Sequence, residues 1–100
     1  MTRAYLKRAD LRQTNLRGAN LESANLQAAN LYKADLEKAD LWGANLEGAN
    51  LEGANLLDAN LEKANLRGAT LKEAQLKNAR LCQTTLPDGT ISDRDCPGLH

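Results

Sequence analysis

Leucine recurs at every fifth position of this chain, from Leu6 to Leu86, without a slip in register. In most repeats an alanine lies two positions before the leucine, with an asparagine or aspartate between them. A regular α-helix cannot bury this column, because five residues advance about 140° around the axis once whole turns are removed. A continuous strand cannot bury it either, because an odd step sends successive leucines to opposite faces.

A short extended segment followed by a corner satisfies the pattern. The alanine and leucine of an extended Ala-Asn-Leu segment point to the same side, and the next two residues can turn the chain. Five glycines occupy the second turn position, which suits the positive φ of a type II turn: Gly18, Gly43, Gly48, Gly53 and Gly68. Four near-right-angle corners would close a coil of about 20 residues, stacked on the next at the strand spacing of about 4.8 Å.

The tandem motif Ala-(Asp/Asn)-Leu-x-x, read most clearly between Ala39 and Asn60, is similar to the signature of the pentapeptide repeat family. The resemblance covers residues 4 to 86. It implies an all-β fold, a right-handed quadrilateral parallel β-helix of about four coils of four pentapeptides, with a C-terminal cap. We therefore expect a single domain in which residues 1–86 form the β-helix and residues 87–100 a capping tail.

The Asn and Asp positions between alanine and leucine, which we call the polar column, are predicted to have a structural role. Residues 20 apart should stack, so that its short side chains form amide ladders or bond backbone groups near the corners. Thr14 and Thr84 replace inward alanines, and each hydroxyl then needs a hydrogen-bond partner. Near the C-terminus the column decays, which indicates that the solenoid is ending: Thr70, Gln75, Arg80 and Thr85.

The tail begins with a strong turn signal, Leu86-Pro87-Asp88-Gly89-Thr90, after which Ile91 is expected to fold back over the open end of the last coil. This tail also resembles that of cyanobacterial pentapeptide repeat proteins. The first coil has no comparable cap. Its leucines are therefore a candidate stacking surface for a second copy, in an end-to-end homodimer: Leu6, Leu11 and Leu16.

Cys82 and Cys96 flank the predicted cap, and the sequence leaves two alternatives open for them. A disulfide would clamp the tail and close a loop of about 14 residues. Two free thiols would instead fit a reducing compartment. Because the repeat begins at once after Met1, we expect a cytoplasmic protein, with the periplasm or thylakoid lumen as the alternative if the two cysteines are bridged.

Charge is banded along the chain although the formal net charge is zero, with 13 basic and 13 acidic side chains. Residues 1–21 carry net +4 (five basic, one acidic), residues 22–62 net −6 (two basic, eight acidic) and residues 63–80 net +4 (five basic, one acidic). The 20-residue register predicts three stacked opposite pairs: Arg17 over Glu37, Glu47 over Arg67, and Glu52 over Lys72.

No catalytic constellation is visible: there is no Gly-rich phosphate loop, no Ser/His/Asp set and no zinc-ligand spacing. We expect no catalytic, cofactor-binding or metal-binding residue and no small-molecule substrate. No apolar run is long enough to cross a bilayer, so no membrane span is expected. Direct nucleic-acid binding is not expected either, because the net charge is zero.

The favoured hypothesis is a non-enzymatic rod that presents its faces to an unknown protein partner. The alternative is a mimic of duplex DNA that inhibits or protects a DNA-binding enzyme such as DNA gyrase, as some pentapeptide repeat proteins do. Those relatives are acidic along much of the rod and dimerise through a C-terminal helix, whereas this chain is neutral and ends in a turn-rich tail.

Overall fold

The computed structural model describes residues 3–97, so Met1, Thr2 and residues 98–100 of the predicted tail lie outside it. Its framework is a series of thirteen parallel single-residue bridges, each between residues 20 apart. The series begins with Tyr5–Asn25 and ends with Asn65–Thr85. We call each 20-residue stretch between bridged residues a circuit; it contains four pentapeptides.

Two strands of two residues each follow the repeats: β1 (Thr84–Thr85) and β2 (Ile91–Ser92). They pair antiparallel, with Thr84 opposite Ser92 and Thr85 opposite Ile91. The described residues contain no helix.

Hydrogen bonds between circuits follow one rule that repeats along the chain. The N–H of Leu26 donates to the carbonyl of Asn45 at 2.7 Å, and the N–H of Ala28 donates to the carbonyl of Glu47 at 2.8 Å. The N–H of Asn45 donates back to the carbonyl of Ala24 at 2.9 Å. Because these bonds recur from one circuit to the next, the interior circuits satisfy the backbone groups that face each other without any long strand.

The corners are tight turns in which the N–H of each alanine donates to the carbonyl of the leucine three residues earlier, as from Ala49 to Leu46 at 3.0 Å. Each repeat has two turn residues, and the second of them has positive φ in every repeat from residue 3 to residue 83. At the five predicted glycines φ is 65° to 72°, which confirms that expectation. At the twelve non-glycine positions φ is 54° to 62°, so the fold imposes a left-handed residue at each corner whatever the side chain.

Leucines and alanines fill the interior. Every leucine from Leu21 to Leu66 in the repeat column is at most 1% exposed. Five leucines nearer the two ends are half-buried, whereas Leu81 beside the tail is 8% exposed. The five are Leu6, Leu11, Leu16, Leu71 and Leu76. Thr84, which is fully buried, donates its hydroxyl to the carbonyl of Leu61 at 2.7 Å, and Thr14 donates to the carbonyl of Arg12 at 3.4 Å. Both threonines thus have the partner that their inward position requires.

Two adjacent leucines allow a direct test of the interior. Leu56 is fully buried, whereas Leu57 occupies a half-buried turn position. We predict that Leu56→Ala lowers the free energy of unfolding by about 2–5 kcal/mol because it leaves a cavity, and that Leu57→Ala lowers it by less than about 1 kcal/mol. Urea denaturation monitored by circular dichroism measures both. Equal losses would contradict the assignment of the buried column.

The corner conformation gives a second prediction at two stacked positions, residues 28 and 48. Gly48→Ala forces a side chain into φ of about 70° and should lower the free energy of unfolding by about 1 kcal/mol, although nothing lies within 4 Å of the added Cβ. Ala28→Gly, which relieves the same strain one circuit earlier (φ 59°), should raise it by about 0.5–1 kcal/mol. Thermal and urea unfolding measure both signs. A stabilising Gly48→Ala would contradict the prediction.

Candidate functional site

The polar column is a structural element of the corners. From Asp10 to Asn65, each of its twelve side chains accepts, through Oδ1, the N–H of the residue two positions later at 3.0–3.3 Å. Amide contacts between circuits are fewer and longer, from Asn50 to Asn30 at 3.5 Å and from Asn55 to Asp35 at 3.4 Å. The predicted structural role is therefore confirmed, and corner capping outweighs the amide ladder.

Surface ion pairs follow the predicted stacking at one of three places. The Arg17 guanidinium lies 3.2 Å from the Glu37 carboxylate and 3.8 Å from that of Asp35. Glu47 and Arg67 are stacked one circuit apart as predicted, and so are Glu52 and Lys72, but neither pair forms an ion pair in the described part of the chain. An exposed pair contributes at most about 1 kcal/mol, so the register alone does not hold two flexible side chains together.

The eight acidic residues between positions 22 and 62 form a ring and not a single acidic face. The 20-residue register places three on each of two sides of the solenoid and one on each of the other two. Three of these carboxylates pair with arginines from neighbouring circuits, Asp35 and Glu37 with Arg17, and Glu62 with Arg80 at 3.3 Å. By side, the ring consists of Asp35, Glu37 and Asp58; Glu22, Asp40 and Glu62; Glu47; and Glu52.

Among the described residues two carboxyl groups have a lowered pKa, and both are exposed. The side-chain hydrogen bonds from Arg12, at 2.8 Å, lower the pKa of Asp10, and the same contact raises the pKa of Arg12. The hydroxyl of Thr90, at 2.7 Å, lowers the pKa of Asp88. Local hydrogen bonds thus account for both shifts, and neither group lies in a cleft where a perturbed pKa would indicate chemistry.

The tail is held against the final circuit mainly by polar contacts. The N–H of Leu81 donates to Asp95 Oδ2, and the N–H of Asp95 donates to the carbonyl of Leu81, both at 2.9 Å. Arg94 Nη2 donates to the carbonyl of Ala79 at 2.7 Å. The expectation that Ile91 covers the end is wrong for its side chain, which is 57% exposed. Its backbone pairs with Thr85, and the side chain points away from the interior.

Cys82 and Cys96 are joined in the structure, with an S–S distance of 1.97 Å and a sequence separation of 14. They are 8% and 6% exposed, so the bridge is buried at the junction of tail and solenoid. Residues 3–97 contain no free cysteine.

A shallow groove of about 720 Å³ lies between the tail and the final circuit. One wall is residues 76–80 and the other residues 94–97. It carries three cationic side chains, Lys77, Arg80 and Arg94, against one carboxylate, Asp95. Sequence reasoning missed this groove, although Arg80, a large cation at a position of the polar column, was a signal that this side differs from the rest.

The described residues bring no three potential metal ligands together. Nor does any helix within them have the length and apolarity to cross a bilayer.

The bridged cysteines generate a third prediction. Ellman titration of the unreduced, denatured protein should detect no thiol, and replacing both Cys82 and Cys96 by serine should lower the free energy of unfolding by about 3 kcal/mol, since the bridge closes a 14-residue loop. Hydrogen exchange should speed up at Leu81 and Asp95, whose amides bond across the junction, and stay slow at Leu46. Two reactive thiols in the unreduced protein would contradict the bridge.

Comparison with known proteins gives a consistent result. The family model described as pentapeptide repeats, with eight copies, matches residues 4–43 and again residues 44–83. HetL, a pentapeptide repeat protein involved in heterocyst differentiation regulation in the cyanobacterium Nostoc sp. strain PCC 7120, is 39% identical, with a TM-score of 0.54. The match covers 92% of this chain and 51% of HetL.

A pentapeptide repeat protein from the thylakoid lumen of Arabidopsis thaliana is 33% identical, with a TM-score of 0.66 over 89% of this chain and 62% of that one. Rfr23 from the cyanobacterium Cyanothece 51142 is 43% identical over 93% of this chain and 63% of its own length, with a TM-score of 0.44. This chain thus spans between half and two thirds of these relatives. No curated protein matches it at a significant level.

Proposed function

Because the chain belongs to the pentapeptide repeat family, we propose that it is a rigid, non-enzymatic scaffold that binds a protein partner. Members of this family form right-handed β-helices. For this chain the proposal includes about four coils of four pentapeptides within residues 1–86, closed by residues 87–100 as a cap.

The observation that carries the proposal is the unbroken ladder of thirteen bridges around a dry interior. The interior from Leu21 to Leu66 is filled by side chains that are at most 1% exposed, and the polar column is bonded into the corners. What such a molecule offers is a preorganised surface. A preorganised surface loses little conformational entropy on association, which favours a binding role.

A regulatory contact with a second protein suits this scaffold. HetL is involved in heterocyst differentiation regulation, and 92% of this chain aligns with about half of it. The joined cysteines and the lumenal origin of the Arabidopsis relative support an oxidising compartment, the periplasm or thylakoid lumen, over the cytoplasm.

Mimicry of duplex DNA is the second candidate, and the net charge of −6 over residues 22–62 is the observation that favours it. Its carboxylates are spread over four sides, so no side carries a continuous acidic row, and we rank it below protein binding. Inhibition of gyrase supercoiling by about micromolar protein would reverse that order.

Site-specific photo-crosslinking tests the scaffold proposal. A photoreactive amino acid is placed at one exposed corner on each of the four sides, in separate variants expressed in the native host: Ala28, Lys33, Lys38 and Lys63. We predict one recurring partner protein, with a yield at least about fivefold higher from the side that forms the contact, because the rod is rigid.

The matched control adds Leu56→Ala, which weakens the interior without changing the surface, and should reduce the crosslink. Failure to recover a partner from any of the four positions would contradict the proposal.

A further inference from the structure

We infer that an extended acidic segment of a partner protein adds a short parallel strand to the final circuit along Ala74–Asn78, which we call the open edge. The inference rests on the proposed protein-binding function and assigns a surface to it.

Backbone groups that are hydrogen-bonded in the earlier circuits on this side of the solenoid are unpaired at the open edge within the described part of the chain. One circuit earlier, the N–H groups of Leu56 and Asp58 donate to the carbonyls of Gln75 and Lys77 at 2.8 and 3.0 Å, and the carbonyl of Ala54 accepts from Gln75 at 2.9 Å. At the open edge, the equivalent groups have no partner within residues 3–97: the N–H groups of Leu76 and Asn78 and the carbonyl of Ala74.

The tail does not complete this ladder. The 20-residue register would place residue 95 opposite Gln75, but Asp95 bonds Leu81 through both its backbone and its side chain. The tail therefore runs beside the open edge as the second wall of the groove. A three-residue strand between them would pair as Gln75 pairs with Asn55 and would cover Leu76, which is half-buried where Leu56 is fully buried.

The positive charge of the groove favours an acidic side chain on the incoming strand. Lys77 stands in the same surface column as Arg17, Glu37 and Leu57, each one circuit from the next. In this column the Arg17 guanidinium reaches the Glu37 carboxylate one circuit on at 3.2 Å. By the same geometry, a carboxylate two residues after the pairing residue of the incoming strand would lie over Lys77. The preferred segment is therefore an apolar residue followed by an acidic one.

Other occupants fit less well. A second copy would bring its own N-terminal end, where residues 1–21 carry net +4, against a groove with three cations and one carboxylate, so like charges would meet. A nucleic acid could bind the cations, but its phosphates cannot donate to the carbonyl of Ala74. The alternation of donor and acceptor along the open edge matches a peptide backbone.

The probe is a synthetic peptide, Ala-Asn-Leu-Glu-Gly-Ala-Asn-Leu-Glu, acetylated and amidated, titrated into the full-length protein and followed by NMR. We expect amide exchange at Leu76 and Asn78 to slow by at least about tenfold on saturation, since exchange reports backbone pairing. Exchange at Leu56 and Asp58, already bonded, should stay unchanged.

Charge reversal tests the register. Lys77→Glu should weaken binding of this peptide about fivefold, and a peptide with lysine at both glutamate positions should bind the Lys77→Glu variant better than it binds the original protein. The matched control is Lys38→Glu, an exposed lysine on the same side two circuits away, which should leave the affinity unchanged.

Three results would contradict the proposal that the open edge binds an acidic peptide strand. They are peptide shifts confined to Leu6, Leu11 and Leu16, a concentration-dependent dimer that competes with the peptide, and a DNA or RNA oligonucleotide that protects the same amides equally well. A crosslinked partner whose binding is insensitive to Lys77→Glu would contradict binding at the open edge but leave the scaffold proposal intact. Absence of any partner would instead overturn the scaffold proposal.

Discussion

Every part of this molecule depends on the pairing of each backbone segment with the segment one circuit later. No single segment is long enough to be stable alone, because each extended stretch forms only one bridge before the chain turns. Stability therefore comes from stacking: each circuit covers the backbone groups and the leucines of its neighbour. The half-buried leucines at both ends show the same rule where the neighbour is missing or incomplete, at Leu6 and at Leu76.

The corners carry the conformational cost of this arrangement. Within residues 3–97, twelve side chains are held at positive φ, a conformation that costs roughly 1 kcal/mol each for an L-amino acid. The chain reduces the cost with glycine at five corners and stabilises the corners with the Asn and Asp side chains that cap them. The polar column and the leucine column thus have complementary roles. The polar side chains stabilise each corner, and each corner directs the leucines into the buried interior.

The sequence predicted the features that repetition determines. The leucine period required a corner in every repeat, and the two threonines that replace alanine were expected to need partners, which Thr84 finds in Leu61. It failed where the outcome depends on single flexible side chains or on the tail. Register could not hold Glu47 to Arg67, because an exposed ion pair is weak. No periodic pattern covers residues 87–97, so neither the outward Ile91 nor the groove beside Arg94 could be anticipated.

The constant spacing of the bridges also determines which outward residues become neighbours. Duplicating one five-residue unit would leave the hydrophobic interior intact, yet it would rotate everything downstream by about a quarter revolution. If the extra unit entered between Arg17 and Tyr32, Tyr32 would replace Glu37 as the residue stacked over Arg17. Insertion of five-residue units, by evolution or design, can therefore change which surface residues are neighbours in discrete steps while the hydrophobic interior of the solenoid stays the same.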